Sequence, residues 1–453
     1  MSVERFGNWL LHHQGTIRRI QWGVAAVYIL LVAVPAFLPL PGPSARIWNN
    51  LTLAAQFAFW GIWWPFVLLS MVLVGRVWCG VFCPEGALSE LASRHGRGGA
   101  VPRWLSWGGW PFVAFVCTTV FGQMVSVYQY PRPALLILGG STVAAIAVGY
   151  LYGRNKRVWC RYLCPVNGVF GLLSKLAPLH FRVDADAWLG SQQRRDPVAP
   201  VNCAPLVPIR TMRGSSRCHM CGRCEGMRGA VTLSLRSPND EIVTVAGAEK
   251  PDPWMTALIL FGLMGVAFGA FDWPTSPVYV ALKQAVAGWL LDHGIDWPLE
   301  MTAPWWLLTD YPSRHDVLSL LDGAVLLGHI AIAAPAMGGV LSAALALAVR
   351  TLGGWSRPRF HHLAQSYIPM AGCGVFLGLS ALTVSLLRSQ GLALSWVGYV
   401  RLGLLAGAAA WSLWLSWRVA GRYGKGWRRG MATAFTGFGV AASLAGWSAL
   451  FWG

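Results

Sequence analysis

Charge is scarce in this chain, and acidic charge is scarcest. Only 12% of its 453 residues are charged, where a soluble domain carries about 25%. Hydrophobic residues make up 55% of the chain and the mean hydropathy is +0.48. That composition excludes an ordinary water-soluble globule and implies a polytopic membrane protein. Asp and Glu number 18 against 36 Lys and Arg, a net charge of +18. Such a balance invites a nucleic-acid partner, but the cations cluster beside apolar runs rather than along a polar face. There they report topology, and no nucleic-acid partner is expected. Carboxylates are also nearly missing from the apolar runs, which offer little beyond Asp322. Buried charge marks ion pathways in membranes, so transport by this chain alone is disfavoured.

Haem motifs are missing too. Covalent c-type haem needs Cys-x2-Cys-His, but Gly222 follows Cys221 and no other pair fits. A membrane b-haem needs histidines that face one another across spans. His329 has no partner three or four residues away, and His361 and His362 lie at the edge of a span. His329 is therefore read as a packing or hydrogen-bonding residue, and His12 and His13 as solvated.

What the chain does have is apolar length. Nine runs approach the roughly 20 residues that a bilayer needs, near 22–40, 51–74, 108–127, 134–152, 254–272, 318–345, 366–387, 398–417 and 432–452. Pro335 is expected to kink the sixth. The first is read as an anchor rather than a signal peptide, since no small-x-small cleavage site follows it. Trp60, Trp63 and Trp64 fit an aromatic belt. Lys and Arg gather before the first run and after the second, fourth, sixth and eighth. The positive-inside rule then places the N-terminus in the cytoplasm and the C-terminus outside, in the periplasm of a bacterial inner membrane. Residues 1–20 read as a basic amphipathic segment at the cytoplasmic surface.

Ten cysteines remain to be explained. Loops facing a reducing cytosol do not hold disulfides, so their cysteines bind metal or do nothing. Cys117 and Cys373 fall inside apolar runs and are read as packing residues. The other eight form a pattern. GRVWCGVFCPEGALSEL carries Cys79 and Cys83; 81 residues later KRVWCRYLCPVNGVFGLL carries Cys160 and Cys164. Each pair is Cys-x3-Cys-Pro after a hairpin of two spans, so both pairs reach one membrane face. The main polar segment then supplies Cys203 and the triplet Cys218, Cys221 and Cys224 in RCHMCGRC.

Cys-x2-Cys-x2-Cys wraps three thiolates round one [4Fe-4S] cube, and in ferredoxins a distant Cys gives the fourth. Arg228 stands where the next Cys would be expected, so Cys203 becomes the candidate fourth ligand. The simplest partition has two [4Fe-4S] clusters. One is held by Cys79, Cys83, Cys160 and Cys164, the other by Cys203, Cys218, Cys221 and Cys224. A swapped partition, with a Cys-Pro cysteine completing the triplet, stays open. Zinc prefers two separated Cys/His pairs and fits this spacing less well. His219 is read as solvated. Arg161, Arg217 and Arg223 flank the cysteines, where they either raise cluster potentials or obey the positive-inside rule.

The expected fold is therefore an all-α polytopic membrane protein of about nine transmembrane helices with a small cytoplasmic ferredoxin-like iron–sulfur lobe. Residues 1–170 hold the duplicated hairpins, 171–253 the lobe, and 254–453 a C-terminal bundle with an outside loop at 273–316. Within the lobe an amphipathic helix is expected through LLSKLAPLHF. A β-hairpin is expected over AVTLSLRSPNDEIVTVAG, turning at SPND.

The paired CGVFCPEGAL and CRYLCPVNGV motifs, with RCHMCGRC, resemble those of NapH/NosR/CcoG-type membrane polyferredoxins over residues 20–245. The stretch FHHLAQSYIPMAGCGVFLGLSALTVSLLR is similar to the FtrD-like ferredoxin component of bacterial Ftr-type iron-uptake systems. The resemblance implies [4Fe-4S] clusters and electron transfer to a membrane or periplasmic partner. In the iron-uptake case the partners would be a permease and periplasmic iron- or copper-handling proteins. The chain lacks two complete Cys-x2-Cys-x2-Cys-x3-Cys-Pro motifs and a flavin-attachment motif, which weakens a flavin-dependent, quinol-linked reading. The expectation is an electron-transfer subunit. Its rivals are a metalloreductase acting directly on Cu(II) or Fe(III), a subunit of a quinol-linked respiratory reductase, and a transporter whose clusters are only structural or regulatory.

Overall fold

The structure, a computed structural model, describes residues 3–42, 44–194 and 200–452. Among them, seven helices are long and apolar enough to cross a membrane: Gln14–Phe37, Leu51–Val74, Pro131–Leu151, Pro253–Asp272, Leu320–Thr351, Arg357–Ser389 and Gly426–Trp452. Each overlaps an expected span, although Gln14–Phe37 and Arg357–Ser389 begin eight and nine residues before theirs. The other two expected spans are also helical. Trp110–Met124 has 15 residues, which at about 1.5 Å per residue falls short of a bilayer core of about 30 Å. Val397–Ala420 is long enough, but it carries Arg401 and Arg418.

The chain divides into two compact units. The first gathers Met1–Leu31, Phe66–Pro111 and Gly140–Lys250; the second gathers Val32–Pro65, Phe112–Gly139 and Pro251–Gly453. All eight motif cysteines fall in the first.

The first unit has a small apolar core beside the cysteines. Phe181, Trp188, Met220, Val231 and Leu233 are buried together, with Cys203, Cys218 and Cys224 packed against them. A two-stranded antiparallel sheet supplies part of this core. Strand β1 (Leu179–Val183) pairs with β2 (Val231–Leu235), and Phe181 lies opposite Leu233. Their alternation sends Phe181 and Leu233 inward, the period of a half-buried strand.

The structure corrects two local expectations here. No hairpin turns at SPND: the second alternating run, Glu241–Val245, is helical. The partner that it would have given β2 is instead β1, about fifty residues upstream. Glu241 explains the change, because its buried carboxylate accepts from Ser215 N, Ser215 Oγ (both 2.8 Å) and Arg236 Nη2 (2.6 Å). Satisfying a buried carboxylate outweighs a five-residue strand pattern. Nor is LLSKLAPLHF one helix. It leaves an α-helix after Leu173, makes a tight turn through Ser174–Leu176, and enters β1 at Leu179.

In the second unit, Leu320–Thr351 opens on a capping box. Ser319 Oγ accepts from Asp322 N at 3.2 Å, and Asp322 Oδ2 accepts from Ser319 N at 3.0 Å, which satisfies two otherwise unpaired donors. The helix continues through Pro335 without a break. Its neighbours approach closely at small residues: a β-carbon on Gly265 would meet Ala334 O at 2.7 Å, and one on Gly338 would meet the Phe261 ring at 2.3 Å. Such contacts let apolar helices pack in lipid, where packing rather than water drives association. His329 Nε2 lies 3.3 Å from Asp272 Oδ2 on the neighbouring helix, a partner that local spacing does not reveal.

Candidate iron–sulfur centres

The first cysteine pair is built by a sharp exit from a helix. Leu51–Val74 ends at Gly75, which takes φ +69°, a conformation that favours glycine. The chain then makes one wide helical turn over Trp78–Phe82, holding Cys79 inside it. Cys83 follows in extended conformation as the cap of the helix Pro84–Arg94, and its sulfur accepts from Gly86 N at 3.4 Å. Pro84 suits this place because the first turn of a helix has no partner for its N–H. The proline of the motif thus starts a helix and turns the cysteine sulfur towards free N–H groups. The second pair is similar in outline: Cys160 lies in Val158–Tyr162, and Cys164 N donates to Trp159 O at 3.0 Å ahead of Pro165.

The four sulfurs form one group. Burial raises both Cys83 and Cys164; the charges of Cys160 and Cys79 add to it at Cys83, and those of Glu85, Cys160 and Cys83 add to it at Cys164. Burial is the largest cause for Cys83, Cys160 and Cys164. It pushes Cys160 up to about 12, opposed first by Arg157. Thiols so placed do not ionise alone; they need compensating positive charge.

The second group is formed by the loop 218–224 and Cys203. Cys203, Cys218, Cys221 and Cys224 line one cavity together. Met220 N donates to Cys218 Sγ at 3.4 Å, and both Met220 and Gly222 have positive φ. Burial raises Cys218 to about 12 and Cys224 higher still, with the other sulfurs of this group adding to the effect. The structure thus sets Cys79, Cys83, Cys160 and Cys164 near one another, and Cys203, Cys218, Cys221 and Cys224 round one cavity. Among the described residues, no group of three or more His, Cys, Asp or Glu side chains is placed to hold a single metal ion.

The two loops touch. A β-carbon on Gly80 would lie 2.0 Å from His219 O and 2.9 Å from Cys221 N. Only glycine lets the turn that carries Cys79 approach the backbone of the triplet so closely.

Two buried arginines join the groups. Arg76 is 3% exposed; its Nη2 lies 3.7 Å from Cys79 Sγ and 2.7 Å from Asn167 Oδ1, and its Nη1 donates to Ser216 O at 2.8 Å. Arg157 is 1% exposed and donates through Nη1 to Cys79 O at 2.6 Å and through Nε to Glu90 Oε2 at 2.9 Å. Its backbone N–H donates to Ala204 O, next to Cys203. Arg76 Nε and Arg157 Nη2 are buried with no protein acceptor. Buried donors normally find acceptors, so N–H groups left over beside eight thiols suit anionic iron–sulfur cores. The donor sets fit as well, being four thiols each, as a cube requires.

Sequence reasoning missed these two arginines as site residues and took them for topology markers. The signal was present, since each is the Arg of the verbatim repeat RVWC. The arginines it did single out behave differently. Arg217 is exposed. Arg223 pairs with Glu90 at 2.8 Å. Arg161 is held below the ordinary guanidinium range by burial and by Arg217. His219, expected to be solvated, is 3% exposed, and burial with Arg76, Arg157 and Arg161 nearby keeps it well below its usual value. Glu85 was also missed: it accepts from Ser141 Oγ at 2.7 Å and Trp159 Nε1 at 3.2 Å, and burial raises its carboxyl. His12 and His13 are exposed, as expected. Cys117, expected to pack in a core, is exposed on its helix, and Cys373 is partly buried.

Comparison with known proteins agrees with this site. A family described as a 4Fe-4S binding domain matches residues 56–107 and 135–184, once for each Cys-x3-Cys-Pro pair. The putative electron transport protein YccM of Escherichia coli (strain K12) is 25% identical over 231 residues, covering 45% of this chain and 62% of that protein. The regulatory protein NosR of Pseudomonas aeruginosa is 26% identical over 189 residues, covering 36% of this chain and 25% of NosR. The chain thus spans less than two thirds of the length of either relative. No solved structure matches. The chain is a polytopic helical membrane protein in which two segments, residues 56–107 and 135–184, match a 4Fe-4S binding domain.

Proposed function

We propose that this protein is an integral-membrane electron carrier with two [4Fe-4S] clusters, one held by Cys79, Cys83, Cys160 and Cys164 and the other by Cys203, Cys218, Cys221 and Cys224. The observation that carries the reading is the contact at Gly80, which sets the backbone of one thiol group against that of the other. Bound clusters would supply one-electron chemistry. The chain's own residues supply the surroundings. Arg76 and Arg157 hold fixed positive charge between the groups, which favours reduced, more negative clusters. Trp78 and Trp159, each next to a cysteine and largely buried, keep water away from the first group.

We further propose that electrons move between a cytoplasmic-side partner and a membrane or periplasmic one in a bacterial inner membrane, in service of iron uptake. The distribution of Lys and Arg supports that orientation. The likeness of residues 360–388 to the FtrD-like component supports the iron-uptake setting, with a permease and periplasmic iron- or copper-handling proteins as partners. Redox titration followed by electron paramagnetic resonance tests the reading. Two [4Fe-4S] signals broadened by mutual magnetic coupling are expected; two uncoupled signals would contradict the adjacency. Multiple-turnover reduction of Fe(III) or Cu(II) by the purified protein alone would instead identify a metalloreductase.

A further inference from the structure

Beside the cysteine loops lies a cavity of about 510 Å³ that electron transfer does not require. Small-molecule sites commonly occupy about 300–1,000 Å³. Its wall carries three guanidinium groups, from Arg18, Arg94 and Arg223, and one carboxylate, from Glu90. That carboxylate is already saturated. Glu90 Oε1 accepts from Arg94 at 3.1 Å and Arg223 at 2.8 Å, and Oε2 accepts from Arg157 at 2.9 Å and Arg223 at 3.1 Å. Arg18 is exposed and takes no part in the pairing. Cations therefore outnumber the acid in and behind this wall, and one of them is uncommitted to it.

The rest of the wall joins the cavity to both thiol groups. Gln14 Nε2 donates to Cys221 O at 2.9 Å, and Gln21 Nε2 donates to Gly80 O at 2.8 Å. Trp22 adds a partly exposed ring. An anion with several acceptor oxygens suits this lining, because guanidinium forks match phosphate geometry and hold it by charge-assisted hydrogen bonds.

We propose that this cavity binds a phosphate group, with Arg18 and Arg94 as its direct contacts. The phosphate has two natural sources. Arg18 lies near the start of Gln14–Phe37, a helix apolar enough to cross a membrane, so an anionic lipid headgroup is one. A soluble phosphate compound is the other. Either would sit beside Gln14 and Gln21, whose Nε2 groups donate to the backbone that positions the cysteines.

The test uses the full-length protein in nanodiscs of neutral lipid. Inorganic phosphate is added and followed by calorimetry; in a second arm phosphatidylglycerol is added and its retention is followed by native mass spectrometry. Binding of at least one probe is expected, weakened at least tenfold in Arg18→Ala and in Arg94→Ala and partly restored in Arg18→Lys. Retention of phosphatidylglycerol alone identifies the lipid source, and binding of inorganic phosphate the soluble one. Absence of binding by either probe, or equal binding by wild type and both alanine variants, overturns the proposal. The assay reads phosphate and the cluster assignment reads iron, so either can fail without the other.

Discussion

Gly80 and His219 are in backbone contact: a β-carbon at position 80 would fall 2.0 Å from the His219 carbonyl oxygen. The turn holding Cys79 and the loop holding Cys218, Cys221 and Cys224 are therefore one structure, although about 140 residues separate them.

The first prediction follows from that contact. Gly80→Ala cannot be absorbed by a flexible side chain, because the clashing atoms are backbone. Overpacking of this kind costs about 1–3 kcal/mol. Gly80→Ala is expected to lower the thermal unfolding midpoint and to weaken magnetic coupling between the two cluster signals. Unchanged coupling would show that the loops do not need this approach.

Arg157 gives the second. It is 1% exposed and binds both Glu90 and Cys79 O. Removing one member of a buried pair costs about 3–5 kcal/mol, so Arg157→Met is expected to destabilise the first unit strongly. Arg157→Lys keeps the charge but loses the two-armed geometry. It is expected to fold and to shift the cluster potentials downwards in a redox titration, as positive charge is held less closely.

A third concerns acid. Glu90 is held down at about 2 although burial alone would raise it, because Arg157 and Arg223 lie against it. A depressed carboxylate contributes stability that is present above its ordinary value of 4.5 and is lost as pH falls towards about 2. Roughly 3 kcal/mol is at stake on the usual conversion of pKa shift to free energy. Stability of wild type should fall over that window, and Glu90→Gln should start less stable and fall less. Parallel pH profiles would contradict the role given to Glu90.

The helical plan was legible in the sequence because apolar length is a local property. Leu51–Val74 and Pro253–Asp272 fall within a residue of where their apolar runs place them. The nearness of Cys79 and Cys83 to Cys160 and Cys164 was legible for a different reason: the repeat of RVWC and Cys-x3-Cys-Pro is itself a spatial statement. Long-range pairing was not legible. EIVTV alternates like a strand, yet the carboxylate of Glu241 is claimed by Ser215 and Arg236, and no local pattern announces that. Arg76 and Arg157 were hidden by abundance, since arginines follow several of the spans and in the sequence only their place in the RVWC repeat sets these two apart.

Separate thiol groups imply separate losses. Cys203→Ser is expected to remove about half of the iron and leave the signal of the cluster on Cys79, Cys83, Cys160 and Cys164 in place. Loss of both signals would favour a partition in which the groups share ligands.

The central claim is most directly tested by counting iron and acid-labile sulfide in anaerobically purified protein and in Cys160→Ser. Two cubes require about eight of each per chain in the wild type and about four in the variant. Colourless, sulfide-free protein, or iron content unchanged by Cys160→Ser, would contradict the account.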